Sequence, residues 1–132
     1  MFLSKYLIVL TAIVVASASP AVKRQDPQGP LCHYVVTPAT FPGEVGLDTE
    51  MSYAIGRELA VEVPSHTINS SGCTTEPQDD GTYNVQCRMS AVGLTDAETA
   101  ALIETWTGKV VQGSPQNGFI QWTIDEVHCD AE

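Results

Sequence analysis

The chain has 132 residues, with 16 acidic side chains against six basic ones and a formal net charge of −10. Such a surface repels nucleic acid and anionic membranes, which bind clusters of Lys and Arg, so both are excluded as partners. The length allows a single domain with a modest core.

The N-terminal segment predicts secretion. Lys5 is followed by an almost unbroken apolar run, and Ala16-Ser17-Ala18 is a small-x-small cleavage site. The run is short for a membrane span. We therefore predict a signal peptide over residues 1–18, cleaved after Ala18, and an extracellular product without membrane insertion.

A basic pair, Lys23-Arg24, follows the leader and predicts a second cleavage after Arg24. Residues 19–24 are then a short pro-segment, residues 25–30 a flexible tail, and residues 31–132 a single α+β domain. The mature chain keeps three cations against all 16 acids, a formal charge of −13.

Two elements open the domain. Leu31–Thr37 alternates between two faces and predicts a strand that ends at Pro38. Leu47–Val61 predicts a helix that ends before Pro64. Its apolar stripe at helical spacing consists of Leu47, Met51, Ala54, Ile55 and Leu59.

The next segment, His66–Thr75, is ambiguous. Its threonines and Ile68 allow an edge strand, whereas Asn69 and Gly72 disfavour one. An irregular α+β domain without this strand is therefore the competing architecture. Asn69-Ser70-Ser71 matches the N-glycosylation sequon and predicts a surface glycan on Asn69.

A strand–helix–strand unit completes the chain. Thr82–Ala91 alternates between apolar and polar residues, which predicts a strand. Thr95 and Glu98 have the spacing of a capping box at the start of a helix. After the loop Gln112–Gly118, Phe119–Cys129 predicts the last strand.

This order of elements predicts a disulfide-stapled, two-layer βαββαβ sandwich of the ferredoxin-like type. In that fold a four-stranded antiparallel sheet has the strand order 4-1-3-2 and carries both helices on one face. The gaps between the cysteines are 40, 13 and 41 residues, which fits two similar halves.

The four cysteines of a secreted chain predict two disulfides. We predict Cys32–Cys129 and Cys73–Cys87, because each pair would join adjacent strands. Cys73–Cys129 would have to join opposite edges of the sheet, beyond the reach of a disulfide. Cys129 does not share the parity of Ile124, so this pairing requires a bulge near Asp125.

Signals for metal or catalytic chemistry are weak. His33, His66 and His128 are scattered without a metal-ligand spacing, so we predict no metal and no cofactor. His128 beside Asp130 could assist a metal, but we interpret it as a surface histidine at the end of a strand. A carboxylate pair for glycoside hydrolysis would have to come from many candidates, so chance pairs are expected. The candidates are Glu58, Glu62, Glu104, Asp125 and Glu126.

The sheet face away from the helices is the predicted binding site. Trp106 and Trp122 lie on apolar stripes and are predicted to be in the core. The helix-free face collects hydrogen-bonding side chains around Arg88, with Asp125 as its expected charge partner. The candidate ligand-binding residues are Arg88, Asn84, Gln86, Ser90, Gln121 and Asp125.

The leader, the basic pair and the four spaced cysteines resemble the small secreted cysteine-containing proteins of filamentous fungi, effector-like proteins among them. The resemblance is one of layout, and no functional residue carries over from it. We expect a monomer that acts by binding a protein or small molecule outside the cell, not by catalysis. The alternatives are a small secreted hydrolase with a carboxylate pair and a protease inhibitor that presents the loop Gln112–Gly118.

Overall fold

The computed structural model describes residues 29–43 and 45–130. The predicted signal peptide 1–18, the pro-segment 19–24, their cleavage positions Ala18 and Arg24, and residues 25–28 of the tail lie outside these ranges. The elements are β1 (Leu31–Pro38), α1 (Leu47–Glu62), β2 (Ile68–Pro77), β3 (Tyr83–Ala91), α2 (Asp96–Ile103), β4 (Val110–Gln112) and β5 (Gln121–Cys129), with 3-10 turns at Glu104–Trp106 and Pro115–Asn117.

In the described part of the chain, the five strands form one antiparallel sheet in the order β2-β3-β1-β5-β4. The α+β class is confirmed, and the four strands expected from the sequence adjoin in the expected order. The strand count of four is wrong, because Val110–Gln112 pairs with residues 121–123 as an edge strand. Three residues are too few to show alternation, so the pattern did not indicate this strand.

The ambiguous segment after α1 forms β2, which pairs with β3. The alternative without this strand is therefore wrong. A register shift between Ser70 and Cys73 explains the weak pattern, because a bulge interrupts the alternation of side chains. Asn69 is exposed on β2, and its glycosylation remains a prediction.

A bulge in β5 explains why the side chains at the two ends of that strand follow different parities. Val35 of β1 pairs with Glu126, whereas Val36 pairs with Ile124, so Asp125 is an extra residue. The insertion reverses the parity of the residues that follow, and Cys129 lies opposite Cys32. The bulge expected near Asp125 is confirmed.

Two disulfides join neighbouring strands. Cys32–Cys129 connects β1 to β5 across a sequence separation of 97 residues, and Cys73–Cys87 connects β2 to β3 across 14. These are the two pairs predicted from the sequence. The longer-range disulfide ties the first strand of the described chain to the last.

A single core contains both tryptophans. Trp106 is 1% exposed and Trp122 is 0% exposed, so the prediction that both belong to the core is confirmed. Each indole N–H donates to a glutamate of α1. Trp106 Nε1 lies 3.0 Å from Glu62 Oε1, and Trp122 Nε1 lies 2.9 Å from Glu50 Oε2. The polar edge of each ring is therefore satisfied where it meets the helix.

Glu50 is a fully buried carboxylate in the first turn of α1. Besides the indole of Trp122, it accepts from the backbone N–H of Ser114 at 3.1 Å and from Nδ2 of Asn117 at 2.7 Å, both through Oε1. A Cβ added at Gly113 would lie 1.8 Å from Glu50 Oε2, so this position requires glycine. The carboxylate thus fastens the β4–β5 connection to α1.

The second helix begins as its sequence indicates. Thr95 Oγ1 accepts from the backbone N–H of Glu98 at 3.0 Å, and Glu98 Oε1 accepts from the backbone N–H of Thr95 at 2.9 Å. The capping box is therefore confirmed. The helix ends at Ile103, and a 3-10 turn continues to Trp106.

Candidate functional site

Three adjacent strands, β3, β1 and β5, present a grid of side chains on one face of the sheet. The register places Gln86, His33 and His128 in one row and Asn84, Val35 and Glu126 in the next. Residues opposite each other in antiparallel strands project to the same face. We call these six residues the open face, since the residues that alternate with them on β1 are buried in the core.

The open face forms a groove of about 240 Å³. Within residues 29–43 and 45–130, the side chains of Asn84, Gln86 and Glu126 make no hydrogen bond or ion pair, and all three are exposed. Paired strands hold the backbone of these residues in register. The groove therefore offers two amides and one carboxylate to a ligand.

One end of the open face carries two histidines and an aspartate. The rings of His33 and His128 are stacked, with centroids 4.9 Å apart and planes inclined by 17°. His33 Nε2 lies 3.2 Å from Oδ2 of Asp130. One ligand-type atom from each of the three residues lies within 4.8 Å of the others.

The predicted disulfide already implied that two of these three residues are neighbours. A Cys32–Cys129 disulfide between antiparallel strands places His33 opposite His128, one step along the pair. The backbone N–H of Asp130 then donates to the carbonyl of Leu31 at 2.9 Å, which brings its side chain to the same strand end. His33 lies far from His128 and Asp130 in the sequence, and the pairing of β1 with β5 brings the three residues together.

Arg88 is not the centre of an open site. It lies half-buried opposite Leu31, and its Nη1 donates to the carbonyl of Gly29 at 3.0 Å. Gly29 runs close to β3, since a Cβ added there would lie 1.8 Å from the carbonyl oxygen of Met89. The segment before β1 therefore occupies the space in front of the guanidinium.

The predicted partnership between Arg88 and Asp125 is wrong. Asp125 Oδ2 accepts from Thr37 Oγ1 at 2.6 Å, at the other end of β1. The two residues lie beside positions of β1 about five residues apart, roughly 15 Å along a strand. The alternation of side chains predicts the face on which each residue lies, but it does not predict the register between strands.

The remaining predicted site residues also separate. Ser90 is buried, and Gln121 pairs with Gln112 at the sheet edge. Of the six predicted residues, Asn84 and Gln86 line the groove. A second depression of about 510 Å³ lies between α2 and the end of β5, with three alanines of α2 in its wall. It contains none of the six.

A pair of carboxylates lies on α1, one helical turn apart. Nζ of Lys109 lies 3.3 Å from Glu58 Oε2 and 3.1 Å from Glu62 Oε2. Burial and a hydrogen bond to Glu62 raise the pKa of Glu58 against the opposing effect of Lys109. Burial acts to raise the pKa of Glu62 too, but hydrogen bonds from Glu58, Trp106 and Lys109 lower it overall. Glu58 therefore holds a proton more readily than Glu62.

The raised pKa of Glu58 should give the protein a pH-dependent stability that Glu58→Gln removes. Because the folded state raises the pKa of Glu58, its contribution is most favourable below its ordinary value of 4.5 and is lost as pH rises through the folded pKa. The glutamine amide can still donate to Glu62. Thermal unfolding should therefore show the midpoint of Glu58→Gln rising relative to the unaltered protein as the pH increases above 4.5.

The matched control for this change is Glu76→Gln on the exposed end of β2. This change also replaces a glutamate by glutamine, but at a residue that forms no ion pair with Lys109. A pH profile of Glu58→Gln parallel to that of Glu76→Gln would show that the pair does not hold its proton as described.

No protein-family model matches the chain, and searches of curated proteins and of solved structures found no match either. Among the described residues, no helix is both long and apolar enough to cross a membrane. The geometry of the open face is therefore what indicates a function.

Proposed function

We propose that the protein is secreted and acts outside the cell by binding, through the groove of the open face. The observation that carries this proposal is a concavity on paired strands in which the side chains of Asn84, Gln86 and Glu126 have no partner among the described residues. Two disulfides fit a small extracellular domain. The layout resemblance to effector-like proteins of filamentous fungi supports the same assignment.

The ligand that suits this groove is polar and of small contact area. Two amides both donate and accept hydrogen bonds, and Glu126 accepts them or attracts a cation. The mature chain has a formal charge of −13, so nucleic acid is not the proposed partner. We propose that the protein is a monomer whose groove binds a small polar molecule or a polar side chain on the surface of another protein.

The pair Glu58 and Glu62 does not have the arrangement of a glycoside hydrolase site. A glycoside hydrolase places two carboxylates on either side of a scissile bond. Here Glu58 and Glu62 lie on one helix and share Lys109, and neither lines either of the two described depressions. This arrangement stabilises the contact between α1 and the segment before β4.

The loop Gln112–Gly118 gives little support to the inhibitor alternative. Such an inhibitor presents an extended exposed segment to a protease. Gly113 is buried, Pro115–Asn117 forms a 3-10 turn, and Glu50 holds the segment against α1. A protease cleft would meet a compact turn.

We also propose that the fold is a ferredoxin-like βαββαβ core enlarged by β4. The order β5-β1-β3-β2 supports this description, because each helix connects two strands with a third strand between them. β4 then belongs to the connection between α2 and β5. The buried side chains of both helices join one core.

Comparative capture tests the proposed function. Untagged secreted protein, immobilised through its amines, is exposed to extracellular fluid containing EDTA, and the retained molecules are quantified by mass spectrometry. At least one retained molecule should bind about tenfold less to Asn84→Ala and to Gln86→Ala than to the unaltered protein. Arg57→Ala, an exposed position on α1, is the matched control and should retain it fully. Equal retention by all three variants would contradict the proposal.

A further inference from the structure

The histidines and the aspartate at the end of the open face form a set of metal ligands. We call His33, His128 and Asp130 the His–Asp cluster. Its ligand atoms are two imidazole nitrogens and one carboxylate oxygen, all within 4.8 Å of one another. The residues are half-buried or exposed, so an ion can reach them directly from solution.

We propose that the His–Asp cluster binds one divalent transition-metal ion, Zn²⁺ or Cu²⁺. This inference rests on the proposed function, because it places an ion beside the groove of the same face. Two imidazoles and one carboxylate suit Zn²⁺ and Cu²⁺, whereas Ca²⁺ and Mg²⁺ require mostly oxygen ligands.

The geometry is close to what such an ion needs. Tetrahedral zinc with bonds of about 2.0–2.1 Å separates neighbouring ligand atoms by about 3.3 Å. His33 Nε2 and Asp130 Oδ2 already lie 3.2 Å apart. The third ligand atom must move closer, and rotation of the exposed His128 side chain can supply that movement.

The backbone beneath the cluster is held covalently. Cys32 directly precedes His33, and Cys129 lies between His128 and Asp130, so the Cys32–Cys129 disulfide fixes all three ligand positions. The cysteines point to the core side of the sheet, where Cys32 is 1% exposed. The ligands therefore converge without the ordering cost that a flexible loop would add.

Three protein ligands leave coordination positions free on the ion. Glu126 stands two residues from His128 and lines the groove with both histidines. A ligand in the groove could thus donate an atom to the metal while its polar groups meet Asn84 and Gln86. The ion would add affinity for donor-bearing molecules at the same face.

Calorimetric titration of untagged, disulfide-intact protein with ZnCl₂ and separately with CuCl₂ tests the metal site. We expect one ion bound per chain, and no heat with CaCl₂. His33→Ala and His128→Ala should each lower affinity by at least about tenfold, since even residues that only orient metal ligands contribute 10–100-fold. Asp130→Asn should weaken binding in the same direction.

The control is His66→Asn, which removes the third histidine of the chain. His66 has a positive φ of 55°, a conformation that asparagine tolerates, and its Nδ1 lies 3.0 Å from the carbonyl oxygen of Ala60. This variant should bind zinc normally. Thermal midpoints without metal identify any variant that fails to fold, and zinc-induced shifts of the histidine ring signals in NMR report the ligands without any substitution.

Absence of Zn²⁺ and Cu²⁺ binding to the unaltered protein would overturn the metal site, as would undiminished binding in both His33→Ala and His128→Ala. Neither result would touch the capture experiment, which is performed in EDTA and uses variants of residues outside the cluster. If Asn84→Ala and Gln86→Ala still bind zinc and the groove captures no molecule, the metal site is supported and the proposed binding function is not.

Discussion

Replacing Glu50 with glutamine should lower the free energy of unfolding by about 2–4 kcal/mol, although the side chain keeps its size. The carboxylate accepts from three N–H donors, which belong to Trp122, Ser114 and Asn117. Glutamine has one oxygen to accept with, so its own NH₂ group must face at least one of these donors. The indole of Trp122 is fully buried and cannot turn to water instead.

Urea unfolding measures this loss, and Asp48→Asn is the matched control. Asp48 is an exposed acid in the same first turn of α1, so its replacement removes the same charge from the same helix end. We expect a change within about 0.5 kcal/mol there. Equal losses for Glu50→Gln and Asp48→Asn would mean that the hydrogen bonds of the buried carboxylate contribute nothing beyond its charge near the helix N-terminus.

Removing the Cys32–Cys129 disulfide with a double change to alanine should lower the free energy of unfolding by about 5 kcal/mol. Removing Cys73–Cys87 in the same way should lower it by about 3 kcal/mol. The first disulfide closes a loop with a sequence separation of 97 residues and the second one of 14. A longer loop restricts the unfolded chain more, so its loss is more destabilising.

The two double variants act as controls for each other. Each one replaces two sulfur atoms by hydrogen, so the difference between their unfolding free energies mainly reports the loop lengths. Urea denaturation with linear extrapolation gives both values. A chain without Cys73–Cys87 that proved less stable than one without Cys32–Cys129 would contradict the loop-length explanation.

Much of the fold could be predicted because its signals are local. The stripe of α1, the capping box at Thr95 and the alternation of β3 each specify an element without reference to the rest of the chain. The bulge at Asp125 followed from parity once the disulfide was assumed. β4 escaped prediction, because an edge strand of three residues depends on its neighbour more than on its own composition.

The site was harder to predict than the fold, since it depends on register and on what covers a face. Parity placed Arg88, Gln86 and Asn84 on one face, but it could not show that Gly29 approaches Arg88 and leaves the other two open. Likewise, nothing local in the sequence shows that Glu50 is buried, because its three donors come from residues more than 60 positions away.

The Cys32–Cys129 disulfide determines whether the chain stays in one piece after a proteolytic cut. It joins the first and last strands of the described domain, so a single backbone cut anywhere between the two cysteines leaves both fragments covalently attached. Exposed turns such as the one around Asp79 and Asp80 are natural sites for such cuts. A nicked molecule would keep its two fragments joined and its strands paired, and would separate into fragments only after reduction.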